Sequence, residues 1–193
     1  MKAATRIAAV LFVLSTLAVL MFATRASSDP PPAPSSGCVI VINGLPGEST
    51  TVPDGIDLFS FGWGIENSPS RHSERGRVEF NDLTITKKLD KSSPKLLLAS
   101  AEGQRLPSAT LTARKDGAQD PYLTVTLSDV LVSSYQTAGS CMDGGVPTDQ
   151  VSFNYTKIDW TYRQQGADGG FVGNPVRTCW DVRAHRPCES PPG

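Results

Sequence analysis

From Cys38 to Arg183 the apolar side chains recur mainly at every second residue, in short runs bounded by Gly, Pro, Asn and Asp. A strand turns successive side chains to opposite faces, whereas a helix repeats every 3.6 residues. This pattern restricts the chain to a mainly β architecture. Cys38-Val39-Ile40-Val41-Ile42 is a continuous apolar run closed by Asn43-Gly44, which suits a buried strand. The stretch from Ile56 to Ile65 places Phe59, Phe61, Trp63 and Ile65 on one face. From Arg77 to Thr86, Val78 and Phe80 share one parity and Leu83 and Ile85 the other, which predicts a bulge at Asn81-Asp82. Thr110–Lys115 and Pro121–Leu127 flank Asp116-Gly117, a hairpin turn signal, with Val130 to Tyr135 continuing or bending the second arm. Val151, Phe153 and Tyr155, followed by Ile158, Trp160 and Tyr162, read as one long strand with a change of phase. Trp180 and Val182 share a parity in a last strand from Thr178 to Arg183.

One segment departs from period two. Ser93-Pro94, then Lys95 to Glu102, then Gly103, predicts a short helix. Ser93 is placed to accept a backbone N–H as N-cap, Pro94 suits the first turn, and Gly103 suits the left-handed residue after the end. Leu96, Leu97 and Leu98 make the helix apolar nearly all round, so it should pack against the sheet.

The N-terminus has a different character. Met1–Ala26 holds Lys2, Arg6 and Arg25 and no acid, around an uncharged run from Ile7 to Ala23. A basic start, an apolar middle and a small residue at Ala26 read as a secretory signal, residues 1–26. As a helix the run reaches about 25 Å, short of the roughly 30 Å of a bilayer core. Cleavage is therefore favoured over an uncleaved anchor, the one route by which a membrane would become a partner. A lipid anchor at Cys38 lies too far from the apolar run. Residues 27–37, SSDPPPAPSSG, read as an extended Pro/Ser-rich linker. The folded unit is expected at 38–188, with a tail at 189–193. Loss of three basic residues with the signal takes the net charge from -1 to -4. That charge supplies no general attraction for nucleic acid.

All four cysteines, Cys38, Cys141, Cys179 and Cys188, lie beyond the signal. An even number in an exported chain points to disulfides, with three pairings open. A metal site is the rival, and it lacks Cys-x-x-Cys spacing, with His185 the one nearby imidazole.

No motif for bond chemistry stands out. His72 and His185 are the two imidazoles, and there is no Gly-x-Ser-x-Gly elbow, His-Glu-x-x-His or phosphate-binding glycine loop. Hence neither an enzyme nor a cofactor is expected. Asp54, Asp57, Asp143 and Asp149 read as solvated turn residues. Asn154-Tyr155-Thr156 matches a glycosylation triplet inside an expected strand and reads as chance. Trp63, Trp160, Trp180, Tyr155 and Tyr162 read as core aromatics in preference to a sugar-stacking platform. Arg71, His72, Arg75 and Arg77 form a small basic loop around Glu74, either solvated or a partner contact.

The order of segments resembles the Hcp family, the haemolysin-coregulated proteins of type VI secretion tubes. The resemblance runs from about Val39 to Arg183. It is carried by Gly47-Glu48-Ser49-Thr50, by Ile56-Asp57-Leu58 through Trp63-Gly64, and by Val78 to Lys87. It continues through Leu89-Asp90-Lys91-Ser92-Ser93-Pro94-Lys95-Leu96, Ala109 to Lys115, Leu131 to Tyr135 and Trp180 to Arg183. The phrase LTITKKLDKSSPKL is the most specific. The resemblance implies a compact two-sheet β-barrel with one short flanking helix, hexameric rings that stack into a tube, secreted effector proteins as cargo, and no bond chemistry. Asp90, Ser93 and Pro94 match the helix-start motif, where Asp90 and Ser93 would begin the helix and Pro94 fix its first turn. The segment Asn67–Gly76 matches a loop that meets a neighbouring ring, which makes Arg71, His72, Glu74 and Arg75 ring-contact candidates.

The signal, the linker, the cysteines and the tail from His185 to Gly193 depart from that pattern, because tube proteins of the standard system are loaded from the cytoplasm. Two readings follow: a secreted ring-forming structural protein, or a monomeric Hcp-like binding module at the cell envelope. N-terminal sequencing of the exported chain should begin at Ser27. A chain that retains Met1 would mean an anchor in place of a cleaved signal.

Overall fold

The computed structural model describes residues 37–70, 73–115, 118, 120–140, 145–166 and 170–188. Its elements run β1 (Gly37–Ile42), β2 (Ile56–Gly62), β3 (Ile65–Ser70), β4 (Ser73–Phe80), β5 (Leu83–Lys88), α1 (Ser93–Glu102), β6 (Arg105–Arg114), β7 (Leu123–Ala138), β8 (Thr148–Asn154), β9 (Lys157–Tyr162), β10 (Val176–Asp181) and β11 (Arg186–Pro187). The main sheet has the order β11-β10-β9-β7-β6-β1-β2-β5-β8, and an additional β7–β8 pairing closes six of these strands into a barrel. The mainly β fold with one flanking helix expected from the alternation is therefore present. Strands β9, β10 and β11 continue from β7 as a flap, and β3 and β4 form a separate antiparallel ladder.

The alternation fills the barrel. Ile40, Ile56, Leu83, Ile85, Leu111, Leu127, Val130, Val151 and Phe153 are all buried in one apolar cluster. Residue-by-residue register explains why: Ile40 faces Ile56 on one side and Leu111 on the other, and Leu111 faces Val125. Closure rests on β7. Its first half pairs with β6 and β9, and its second half with β8. Between them Asp129 adopts a positive φ of 52°. A left-handed residue turns the strand, and a short polar side chain tolerates that conformation better than a branched one. At this pivot Ser128 still faces Lys157 of β9, whereas Leu131 already faces Asn154 of β8.

Several expectations are corrected. Phe59 does not share the inward face; it is 67% exposed, because a register shift between Leu58 and Ser60 inverts the alternation after buried Ile56 and Leu58. The parity change at Asn81-Asp82 is a break between β4 and β5, which belong to different sheets, not a bulge. Likewise Val151 to Tyr162 is two strands with different partners, not one. In α1 only Leu96 and Ala99 among the apolar residues are buried, while Leu97 and Leu98 are each 55% exposed. Gly103 does take the left-handed conformation, with φ 62°. Gly47 matters for a different reason: a Cβ there would lie 2.2 Å from the Gly55 carbonyl oxygen, so this close chain crossing needs glycine.

Cys179 and Cys188 form a disulfide with Cα atoms 5.2 Å apart, which ties the end of β11 to β10. Cys38 is a half-buried free thiol whose pKa burial pushes up. Cys141 lies outside the described residues.

The pivot yields a test. Asp129→Gly should keep near wild-type stability in thermal or urea melts. Asp129→Val should lose about 1–2 kcal/mol, because a branched residue is strained in the left-handed region. Equal stability of the two variants would remove the pivot from the account.

Candidate functional site

The LDKSSP motif folds around a buried lysine. Lys87 and Asp149 both have side chains of zero exposure, inside a barrel lined mainly by apolar groups. Alternation places them there: Lys87 follows Leu83 and Ile85 on the core parity of β5, and Asp149 precedes Val151 and Phe153 on that of β8. Register sets them directly opposite, Lys87 against Asp149. The Lys87 ammonium donates to the Lys88 carbonyl (2.8 Å), Asp90 Oδ1 (2.8 Å) and Ser93 Oγ (2.9 Å), and lies 3.0 Å from Asp149 Oδ2. Ser93 Oγ in turn donates to Asp149 Oδ2 and accepts from the Asp90 backbone N–H. Thr137 donates to the other Asp149 oxygen at 2.8 Å.

This network ties four elements: β5, the start of α1, β7 and β8. The expected roles of Asp90 and Ser93 change accordingly. Ser92, not Ser93, is the N-cap, and it makes no side-chain cap bond. Ser93 is turned inward as the joint between Lys87 and Asp149. Asp90 orders the approach to α1 by accepting from the Ser92 backbone N–H at 2.9 Å. Pro94 stands in the first turn of α1. Asp149 is a buried charge partner, which corrects its reading as a solvated turn residue. A bare charge at such a position costs several kcal/mol, so pairing is required here.

For Asp149, burial alone would raise the carboxyl pKa. The bonds from Ser93, Thr137 and Lys87, with the Lys87 charge, outweigh burial and hold it below the usual carboxylate range. Asp90 is lowered in the same way by Lys87 and Ser92 against the effect of burial. A second staple lies at the β4–β5 break. Asp82 accepts from Ser133 of β7 and from Asn154 of β8, the latter at 2.9 Å, and the Tyr155 hydroxyl donates to the Asn81 carbonyl at 3.1 Å. Burial, then the Asp82 charge, push the Tyr155 phenol up to about 12. Asn154 of the glycosylation triplet is thus a structural donor.

The charged segment around residue 71 is a ladder in place of a loop. Ser68 pairs with Arg77 and Ser70 with Ser73, so Glu74 and Arg75 lie on strand β4. Arg71 and His72 lie outside the described residues. Among the described residues no group of three or more His, Cys, Asp or Glu is placed to hold a metal ion.

The family model described as "Type VI secretion system effector, Hcp" matches residues 40–162. The chain belongs to the Hcp family. Protein hcp1 of Pseudomonas aeruginosa is 40% identical over 109 residues, covering 55% of this chain and 67% of that one. The "Major exported protein" of the same organism is 31% identical over 113 residues, covering 54% and 66%. The matched region thus spans about two thirds of each relative's length. A solved structure described as a type six secretion system protein superposes with a TM-score of 0.74 at 25% identity, covering 80% of this chain and all of that one. Hcp1 from Salmonella typhimurium gives 0.66 at 24% identity, over 80% of this chain and 99% of that one, and shows the same fold. The resemblance read from the LTITKKLDKSSPKL phrase is borne out by these matches.

The buried network of this Hcp-family chain sets a pH dependence. Both lowered carboxyls contribute stability that is complete above the unfolded carboxylate pKa of about 4 and is lost as pH falls through the folded values. The melting temperature should drop on acidification below about pH 4. Asp149→Asn should flatten that acid limb. At neutral pH Lys87→Met should cost about 3–5 kcal/mol by leaving Asp149 buried without a counter-charge. An unchanged acid limb in Asp149→Asn would assign the dependence to other groups.

Proposed function

We propose that this Hcp-family chain is an exported, non-enzymatic structural protein whose barrels assemble into homo-hexameric rings that stack as a tube. The observation that carries this reading is the family match laid along a closed barrel. Strands β1 to β9 fall within or at the edges of the matched residues 40–162. A closed barrel suits a repeated building block, because closure satisfies the β-sheet edges that would otherwise pair indiscriminately. The titratable residues of the helix-start motif are consumed in holding four elements together, which supports an architectural role for them over catalysis. In this reading the β3–β4 ladder, carrying Glu74 and Arg75 and joined through Arg71 and His72, is the contact between stacked rings. Secreted effector proteins are the cargo of the lumen.

Export through the N-terminal signal 1–26, with residues 27–37 as a linker and 189–193 as a tail, belongs to the same proposal. The Cys179–Cys188 disulfide supports an oxidising destination, outside the cell or at the envelope. That bridge also favours a second reading, a monomeric envelope module, since an oxidised chain is separated from a cytoplasmic assembly platform.

Native mass spectrometry of the exported chain separates the two readings. Six copies per particle are expected, and a monomer at high concentration would overturn the ring. Removing residues 67–76 should leave single rings intact and abolish their stacking. Stacking that persists would clear the β3–β4 ladder of that role.

A further inference from the structure

Strands β10 and β11 lie beyond the residues 40–162 matched by the family model, and the hairpin they form is used by neither the barrel closure nor the ring reading. Trp180 pairs with Pro187 and Asp181 with Arg186, and the Cys179–Cys188 disulfide closes the base. The Cys188 N–H donates to the Cys179 carbonyl at 3.2 Å, and the Val182 N–H to the Thr156 carbonyl at 2.8 Å. Within the turn, the Ala184 N–H donates to Asp181 Oδ1 at 2.8 Å. The tip is thus fixed at its base, in its turn and against the flap. From Val182 to Cys188 it carries Arg183, His185 and Arg186, all exposed, and no acid. Asp181, the acid that precedes it, is engaged by the turn and lies 3.7 Å from Lys157. Arg183 and His185 have no ion-pair partner among the described residues.

This basic hairpin borders an apolar groove, because Trp180 belongs to both. Trp63, Ile65 and Phe80 form one wall of the groove, and Trp160, Thr178 and Trp180 form the other, around a cavity of about 370 Å³. Trp63 and Trp160 lie 5.1 Å apart between ring centroids, and Phe80 stacks on Trp180 at 6.0 Å. The volume falls at the lower end of the range of ligand sites, which suits a large anchoring side chain. The aromatic walls are recessed and partly buried, and among the apolar lining residues Ile65 is the exposed one, at 50%. A membrane is met by apolar groups that protrude, whereas this rim encloses a hollow.

The two features together define an occupant. An aromatic hollow takes an apolar anchor, and an adjoining cluster of cations takes negative charge. Arginine forks match carboxylates with two parallel hydrogen bonds. A hairpin held by a disulfide presents those forks already ordered, so little freedom is lost when a partner docks. On a chain whose overall charge is -1, a tip with two Arg, one His and no acid is also a local target that steers an acidic partner to this spot. We infer that groove and hairpin form one docking site for an acidic segment of a partner protein. An aromatic or large aliphatic side chain of that segment enters the groove between Trp63, Phe80 and Trp160. Flanking Asp and Glu carboxylates meet Arg183 and Arg186, with His185 as a further donor. This goes beyond the ring reading, and its test does not depend on how many copies assemble.

The test selects binders to the oxidised, exported chain from a display library of short random peptides. Recovered peptides should share an aromatic or large aliphatic residue flanked by Asp and Glu. A synthetic copy of one should bind saturably, shift the tryptophan emission, and lose affinity as salt is raised. A variant carrying both Arg183→Glu and Arg186→Glu should bind it about tenfold more weakly or worse, and Ile65→Ser at the groove rim should also weaken it. All three positions are exposed, so melting temperature and far-ultraviolet circular dichroism should match wild type in both variants. Recovery of no peptide, recovery of peptides without acidic residues, or unchanged affinity in either variant would overturn the proposal. Binding to vesicles of anionic phospholipid with no peptide recovered would also overturn it, and would assign the hairpin to a membrane surface.

Discussion

Strand β7 must satisfy three neighbours at once, and the barrel exists because it does. An open sheet of this length would leave two edges unpaired in water, each a template for unwanted strand addition. Sixteen residues let β7 serve β6 along one side while dividing the other between β9 and β8. Asp129 makes that division geometrically workable, since its left-handed backbone turns the strand where the partner changes. The flap, the aromatic groove and the disulfide-tied end of β11 all depend on β9 leaving the barrel at this point.

The Lys87 network secures the other side of the closure. Strand β8 is held between β5 and β7 by backbone ladders, and the ion pair between Lys87 and Asp149 adds a side-chain joint inside the barrel. A buried pair of this kind is a poor source of net stability, because desolvation offsets much of the attraction. Its value lies in geometry. Swapping the register of β5 or β8 by one residue would expose Leu83 and Phe153 and strand both charges in separate environments. The same network fixes where α1 begins, so one side-chain cluster serves both the helix start and the closure.

Much of the fold was legible from period and punctuation. Alternation located most of the barrel strands, and Pro94 and Gly103 bracketed α1 closely. What failed did so for want of partners. Phe59 was misplaced because a shift between Leu58 and Ser60 depends on how β2 meets β5, which one strand alone does not disclose. Asn81-Asp82 looked like a bulge because a strand that changes sheet also changes parity. Asp149 was read as a turn residue, although a signal was present. Lys87 sits on the parity of Leu83 and Ile85, and Asp149 on that of Val151 and Phe153, so two charges of opposite sign on core parities had to meet. Ser93 was legible as important but not as inward-facing, since a cap and a core ligand use the same hydroxyl. Of the aromatic residues read as packing groups, Tyr155 is in the core and Trp63, Trp160 and Trp180 pack against it, whereas Tyr162 is 44% exposed.

Hydrogen exchange along β7 in the oxidised chain tests the closure most directly, because an amide exchanges slowly only while its ladder stays intact. Leu123 to Ser128, paired with β6 and β9, and Leu131 to Ala138, paired with β8, should both rank among the slowest amides of the protein. Slow exchange in the first half with fast exchange from Leu131 to Ala138 would contradict the account, since it would describe an open sheet in place of a barrel.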